Sequence, residues 1–301
     1  MKPTPRHYLE YALVRAFQLL LGLLPLRLAF ALAWLLLRLI FHTLRPKRAK
    51  VAKRVRQVFG DQTPKRTIDR IAWLTLRNMV FNTIEMMRAD RFDKNWVDRH
   101  MPDFGPQIGP VKKLIDQYGG IVITVPHYGN WDLAAIACRI YGIRMIAIAS
   151  KQKNPLLNNW INRTRTHGTQ IVERQSRASL RQVAEVLANR GALAILSDIS
   201  LKHQAIQVPF LGGTANVGEG VGRFAHNANV PILVAAPHRV GWTQFHFEVL
   251  DTLYPDPTAE PETDTRRLVA AVMAGFDRAI RADPGQWFWF NKRWILSPPK
   301  E

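Results

Sequence analysis

The chain has 301 residues, of which 47% are hydrophobic, so it is long and apolar enough for one large domain or two small ones and is not an intrinsically disordered protein. Its one cysteine, Cys138, excludes an internal disulfide and a four-cysteine zinc site, and fits a catalytic body that lies in or faces the cytoplasm. The 42 Lys and Arg against 23 Asp and Glu predict an anionic partner: nucleic acid, lipid headgroups or an acidic protein.

The N-terminal segment, residues 8–44, is strongly apolar but is interrupted by three arginines. Its uncharged stretch 28–37 would span only about 15 Å as a helix, about half of a hydrocarbon core. Pro25 is expected to divide the segment into two helices. We therefore predict that residues 1–44 form a re-entrant or interfacial helical pair. A single tilted span, a signal peptide and a pair of buried core helices are the alternatives.

A dense basic cluster follows directly. The segment 45–60 is predicted to be one helix, and its cationic side chains are Arg45, Lys47, Arg48, Lys50, Lys53, Arg54 and Arg56. Next to a membrane segment, such a cluster predicts contact with anionic lipid headgroups and marks that side as cytoplasmic. The alternative is an ordinary solvated helix face.

The remainder, with a helical lead-in to residue 118 and a core over 119–301, has the pattern of an α/β domain. Apolar residues at helical spacing predict a helix over 64–89, and alternating segments predict further strands and helices. The predicted strands are 121–125, 143–149, 169–172, 192–196, 231–236 and an edge strand at 243–250. The predicted helices are 130–141, 155–167, 177–190, 217–228 and 264–282. This alternation indicates a central, mostly parallel sheet flanked by helices, within a catalytic domain over 45–301.

The motif "PHYGNWD" (126–132) follows the first predicted strand, at the sheet edge where ligands of α/β proteins bind. Asn130 can cap the next helix, which places Asp132 in its first turn. The Asp132 carboxylate can then accept a hydrogen bond from one ring nitrogen of His127, leaving the other nitrogen as a base. A serine hydrolase would need a G-x-S-x-G elbow, which is missing from the sequence, and a metal site would need further ligands at metal spacing. The third possibility is that His127 acts as a base directly on a substrate hydroxyl.

The same motif resembles the H-x-x-x-x-D/E signature of glycerolipid acyltransferases, and its surroundings resemble the lipid A late acyltransferase (lauroyl/myristoyl acyltransferase) branch. The resemblance covers nearly the whole chain, in the blocks "GGIVITVPHYGNWD", "IVERQ", "LAILSD", "VPFLGGTANVGEGVGRFA", "VPILVAAPHR" and "QWFWFNKRW". It implies that His127 is the general base and Asp132 its orienting partner. It also implies that Arg174 binds an acceptor phosphate and that Asp198 is the family's acidic position after the strand "LAIL".

The resemblance further implies a glycerolipid acyltransferase-like fold and transfer of an acyl chain from acyl carrier protein to a hydroxyl of a lipid A-type or related glycolipid or phospholipid. The implied setting is the inner (cytoplasmic) membrane, with the catalytic domain facing the cytoplasm. The expected partners are acyl carrier protein, anionic membrane lipids and the glycolipid acceptor, with no nucleic acid. No metal and no cofactor is expected besides the acyl thioester co-substrate.

Other readings stay open. An enzyme of this type could use acyl-coenzyme A, since the positive surface suits both donors. It could also acylate a lysophospholipid or another glycolipid, because Asn291 and "ISLKH" (199–203) depart from the lipid A pattern. A hydrolase with the same site is a further alternative. So is a non-enzymatic basic protein that binds membranes or nucleic acid.

Three further side chains are candidates for substrate binding. Trp131 points either into the core or along an acyl chain, and Phe210 lies either in an acyl groove or in an ordinary buried loop. Lys151 follows a strand end and either meets a phosphate or is a solvated lysine. The segment "QWFWFNKRW" (286–294) is predicted to be a buried aromatic strand, with its two cations near the membrane.

Overall fold

A six-stranded sheet with helices on both faces forms the centre of the chain. The computed structural model describes residues 3–149, 152–165, 169–173, 177–201 and 205–296. The helices are α1 (Pro5–Leu23), α2 (Leu26–Ile40), α3 (Arg45–Phe59), α4 (Lys65–Met86), α5 (Lys94–His100), α6 (Phe104–Tyr118), α7 (Trp131–Ile140), α8 (Pro155–Arg165), α9 (Arg177–Ala188), α10 (Gly220–Ala228) and α11 (Pro261–Ala282). The strands are β1 (Gly120–Thr124), β2 (Met145–Ala149), β3 (Thr169–Glu173), β4 (Gly191–Ile195), β5 (Ala205–Phe210), β6 (Gly213–Gly218), β7 (Ile232–Arg239) and β8 (Phe245–Leu253).

The strand order of the main sheet is β3-β2-β4-β1-β7-β8. The first five of these strands pair in parallel, and β8 pairs antiparallel to β7 at the edge. Every residue of β1 is buried, as expected for a strand that helices cover on both faces. The predicted α/β class, with a mostly parallel sheet and an edge strand near 243–250, is confirmed.

Alternation along β1 divides the core between the two faces of the sheet. Ile121 and Ile123 contact the apolar cluster that includes α6 and α7, whereas Val122 contacts the cluster that includes α9, α10 and α11. This follows because successive strand side chains point to opposite faces. The loop 125–130, which follows β1 and is called the motif loop below, therefore ends on the face that carries α7.

The hairpin β5–β6 was not predicted from the sequence. Its two strands pair antiparallel in a separate two-stranded sheet. Leu211 and Gly212 connect them with φ values of 50° and 78°, as a two-residue hairpin turn requires. Short strands without strict apolar alternation give a weak local signal, and the helix predicted from 217 begins only at Gly220.

The N-terminal helices break at Pro25, as predicted, because α1 ends at Leu23 and α2 begins at Leu26. In α2, Phe30 stacks on Phe81 of α4 with ring centroids 4.1 Å apart. Within the described residues, no single helix has the length and apolarity to cross a bilayer, although α2 and α3, bent by 90°, meet the criterion as a pair. The exposed large apolar side chains of α1 and α2 include Leu9, Leu13, Leu20, Leu23, Leu28, Leu32, Leu35, Leu36 and Leu39.

The predicted basic helix is α3, but its cations are not equivalent. Arg54 is buried, where it donates to the carbonyl oxygens of Trp289 and Asn291 and lies over the Trp294 ring at 4.7 Å. Burial lowers the pKa of Arg54 to about 10. Arg54 therefore supports the C-terminal aromatic segment, whereas the five exposed cations of α3 are Arg45, Lys47, Lys50, Lys53 and Arg56.

The aromatic segment 286–294 is buried in part, as predicted, but it is not a strand. A 3₁₀ turn over Pro284–Gln286 leads into irregular backbone, and Trp287 makes a single antiparallel bridge with Tyr128. Trp287 and Trp289 are both buried. The strand prediction fails because aromatic content favours a strand locally, whereas these rings pack around one another instead of along a sheet.

Candidate active site

The motif loop between β1 and α7 has a shape that its own residues dictate. Gly129 has φ of +54°, and a Cβ on it would lie 1.4 Å from the carbonyl oxygen of Pro237, so only glycine fits. The Asn130 side chain accepts from the backbone nitrogen of Leu133 at 3.0 Å and caps α7. The loop thus begins at the carboxyl end of β1 and delivers His127 to the edge of the sheet.

Asp198 is the carboxylate that orients His127. The His127 ring donates from Nδ1 to Asp198 Oδ1 at 2.7 Å, and its backbone nitrogen donates to Oδ2 at 2.8 Å. The His127 side chain is 18% exposed and Asp198 is fully buried. The sequence reading gave this role to Asp132. The described contacts place Asp198 on Nδ1 instead, because β1 and β4 are parallel neighbours and His127 and Asp198 follow these strands at the same edge.

The surroundings of Asp198 keep it ionised. Burial raises the pKa of the Asp198 carboxyl, but the charge of His127 and the hydrogen bonds from His127 and Trp287 lower the pKa by more, so that it lies below its ordinary value. The Trp287 indole donates from Nε1 to Oδ2 at 2.8 Å. An ionised carboxylate only accepts, so the Nδ1 of His127 carries the proton in this pair.

The C-terminal segment 286–288 holds the motif loop from outside. The backbone nitrogen of Phe288 donates to the His127 carbonyl oxygen at 2.8 Å, and that of Gly129 donates to the Gln286 carbonyl oxygen at 3.0 Å. Sequence reasoning missed this role. No local sequence pattern indicates these contacts, because they join residues more than 150 positions apart in the chain.

A buried ion pair supports the loop from below. Arg239 binds Glu85 through both of its terminal nitrogens, and the Asn130 amide donates to Glu85 Oε2 at 2.6 Å. Arg239 also donates to the Asn82 side chain at 2.7 Å. Burial raises the pKa of the Glu85 carboxyl above its ordinary value, although Arg239 beside it acts in the opposite direction. The network fixes Asn130 and therefore the start of α7.

The spacing of polar residues along α4 is a local sequence signal for this network. Asn78, Asn82 and Glu85 lie at positions i, i+4 and i+7 of α4, and all three are buried. Polar residues that share the buried face of a helix require partners, because an unpaired buried polar group is costly. Their spacing therefore indicated a buried polar network, although not its partners.

An apolar cavity of about 350 Å³ opens beside His127. Its volume lies in the range of small-molecule sites. Trp131 and Asp132 line it together with His127, and the Trp131 ring meets the imidazole edge to face at a centroid distance of 5.0 Å. The remaining lining is largely apolar and rich in small side chains, among them Ile123, Val125, Ala134, Ala135, Cys138, Met145, Ala147, Ala149 and Ala194.

The other candidate residues have different outcomes. Phe210 is buried in the core on the opposite face of the sheet, edge to face with Trp287 at 6.1 Å, which matches the buried alternative. Arg174 and Lys151 lie outside the described residues. Within the described part of the chain, no group of three or more His, Cys, Asp or Glu side chains is placed to hold a metal ion.

Comparison with known proteins gives a family match and a similar curated protein. A family model described as bacterial lipid A biosynthesis acyltransferase matches residues 2–295. The phosphatidylinositol mannoside acyltransferase of Mycolicibacterium smegmatis is 22% identical to this chain over 186 residues. That alignment covers 60% of this chain and 59% of the relative, so the chain matches about three fifths of the relative's length. The family match extends over the N-terminal helices as well as the site.

Proposed function

The chain belongs to the bacterial lipid A biosynthesis acyltransferase family, and on that premise we propose that it transfers a fatty acyl chain from a thioester to a hydroxyl group of a membrane lipid. The observation that carries the proposal is the His127–Asp198 pair, whose imidazole lines an apolar cavity. An oriented imidazole beside a pocket of that lining brings a proton acceptor next to space for an acyl chain.

The proposed chemistry needs no covalent enzyme intermediate. Asp198 holds the proton on Nδ1 of His127, so Nε2 carries the lone pair. The acceptor hydroxyl gives its proton to Nε2 while its oxygen attacks the thioester carbonyl carbon. The tetrahedral intermediate then expels the thiolate, which takes the proton from Nε2. Such general-base help contributes about 10²–10⁴-fold to the rate.

Asp132 stays in the proposed site with a different role. It lines the same cavity as His127 and begins α7 beside Trp131. In this proposal its carboxylate contacts polar groups of a substrate that enters the cavity, and Asp198 orients the imidazole.

For the donor and the acceptor, the proposal is acyl carrier protein and a lipid A-type or related glycolipid. The five exposed cations of α3 support an acidic protein donor, because opposite charges steer such encounters. The relative is named for acylating a phosphatidylinositol mannoside, which supports a glycolipid as the class of acceptor. Binding of the acceptor phosphate by Arg174 stays a prediction.

The proposed location is the cytoplasmic face of the inner membrane. The exposed leucines of α2 at 28, 32, 35, 36 and 39 share one side of the helix, opposite the buried Phe30 and Leu37. An apolar stripe followed by a basic helix is the pattern of a segment that lies in the interface of an anionic bilayer.

The test compares purified wild type with His127→Ala in membranes that contain glycolipid acceptors and acyl-carrier-protein or acyl-coenzyme A thioesters. Mass spectrometry should find an acylated lipid that the variant does not form. The matched control is His226→Ala, because His226 contacts the buried Asp264 at 2.8 Å in a similar pair that lies away from the cavity. Free fatty acid without acylated lipid would mean a hydrolase, and full turnover by His127→Ala would refute the base.

A further inference from the structure

The floor of the cavity has levels that the register of the sheet defines. Ile123, Ala194 and Ala147 are paired across β1, β4 and β2 and form one level. Two residues toward the amino ends of the strands, Met145 pairs with Ala192 and forms the next level. Because side chains alternate along a strand, Met145, Ala147 and Ala149 all point to the same face, and all three line the cavity.

The roof of the cavity is α7, which runs back over this floor. Trp131 lines the cavity beside His127 in the first turn of the helix, and the small residues Ala134 and Ala135 line the next turn. Cys138 lines the cavity seven residues beyond Trp131, about 10 Å deeper along the helix axis. Floor and roof therefore enclose a slot with small side chains in the middle.

The lower end of the slot lies at the level of Met145. On that level, Ile121 and Ala192 are fully buried core residues, whereas Met145 reaches the cavity. Met145 is an unbranched, flexible side chain of the kind that fills the ends of irregular apolar spaces. Met145 is therefore the last side chain that an acyl group contacts when it is inserted along the slot.

The length of the slot sets the length of its occupant. Four residues separate Ala149 from Met145, which corresponds to about 13 Å along an extended strand. An extended alkyl chain advances about 1.3 Å per methylene, since its carbon–carbon bonds are about 1.5 Å long and zigzag. The slot therefore takes about ten carbons, and the carbonyl end must lie above it, beside His127.

We propose that Met145 sets the acyl-chain length that this protein accepts, with a preference for chains of about ten to twelve carbons. This inference rests on the proposed function, but it concerns the binding of the chain and not the transfer step. In this geometry Met145 closes the deep end of the slot and is the end stop for the acyl chain. A larger side chain at position 147 would block the slot above that end.

The first experiment measures binding without turnover. Free fatty acids of 8 to 18 carbons displace a fluorescent fatty acid from the full-length protein, and the tightest displacement is expected at about ten to twelve carbons. In Met145→Ala the optimum should move to chains about two to three carbons longer, because three heavy atoms beyond Cβ are removed. In Ala147→Leu, which blocks the slot only about 7 Å from Ala149, chains of 12 carbons should bind about tenfold more weakly than in wild type, and the optimum should move to the shortest chains of the series.

The matched control is Met273→Ala. Met273 is also a buried methionine, but it lies on α11 in the core of the opposite face. It loses the same atoms without touching the slot, so its chain-length optimum should equal that of wild type even if its stability falls. Unspecific uptake of fatty acid by the exposed leucines is the same in all variants and cancels in the comparison.

The second experiment repeats the chain series with acyl thioesters and membrane acceptors. The same optimum and the same shift in turnover support the inference. A wild-type optimum at 16 carbons or longer, or an unshifted optimum in Met145→Ala, overturns it while leaving the proposed function standing. A shifted binding optimum without transfer to any acceptor upholds the end stop and refutes the proposed function.

Discussion

Asp198 accepts from His127 twice, from the ring Nδ1 at 2.7 Å and from the backbone nitrogen at 2.8 Å. One carboxylate thus holds both the position of the residue and the direction of its ring. With the Trp287 indole as a third donor, each Asp198 oxygen accepts at least one hydrogen bond.

The first prediction concerns this carboxylate. Asp198→Asn should lower kcat by about 10²–10⁴-fold. The amide nitrogen of the new side chain would face the N–H donors of His127 or Trp287, and the imidazole would lose its orientation. The comparison is Asp132→Asn, which removes a charge from the same cavity. Nitrogen-15 NMR of labelled histidine should show an altered tautomer of His127 in Asp198→Asn and the wild-type tautomer in Asp132→Asn. An unchanged tautomer in both variants would contradict the assignment.

The second prediction concerns the Trp287 indole. Trp287→Phe keeps an aromatic ring but removes the hydrogen bond to Asp198, and a bond to a charged group is worth about 1.5–3 kcal/mol. We expect kcat to fall roughly tenfold or more, with KM little changed. Trp289→Phe is the matched control, since its indole donates to the Pro284 carbonyl oxygen at 2.7 Å and not to Asp198. Equal losses of kcat in the two variants would mean that general packing is responsible.

The third prediction concerns the buried ion pair. Glu85→Gln leaves the charge of Arg239 without a counter-charge in the interior and should lower the free energy of unfolding by about 3–5 kcal/mol. The control is Glu219→Gln, which breaks the solvent-accessible pair between Arg223 and Glu219, the N-cap residue of α10, and should cost no more than about 1 kcal/mol. Denaturant unfolding of the solubilised proteins measures both. Equal changes would show that the buried pair contributes no more than a surface pair.

The fourth prediction concerns the apolar stripe of α2. Replacing both Leu32 and Leu36 by Glu should shift the protein from the membrane to the soluble fraction, because these side chains are 49% and 59% exposed. Release should be more complete at 1 M salt, where screening shortens the reach of the α3 cations to about 3 Å. Leu180→Glu is the control, since Leu180 is 52% exposed but lies on α9. Retention of the double variant in the membrane fraction would mean that another surface anchors the protein.

Much of the fold was predictable because its signals are local. Short apolar runs between amphipathic segments indicated the parallel sheet, and Pro25 indicated the break between α1 and α2. The start of α7 followed from the capping side chain of Asn130. Each of these features depends on residues only a few positions apart, so the sequence alone determined them, together with the place of His127 at the end of β1.

The partner of His127 was decided by the tertiary structure. Asp132 is five residues away in the chain and Asp198 is 71, but β4 lies next to β1 in the sheet, after β2 and β3 have been placed further out. Strand order depends on how the helices pack on both faces, and no local pattern carries that information. The hydrogen bonds by which segment 286–288 and Arg239 stabilise the motif loop could not be predicted for the same reason. They join segments that are distant in the chain and form only in the folded protein.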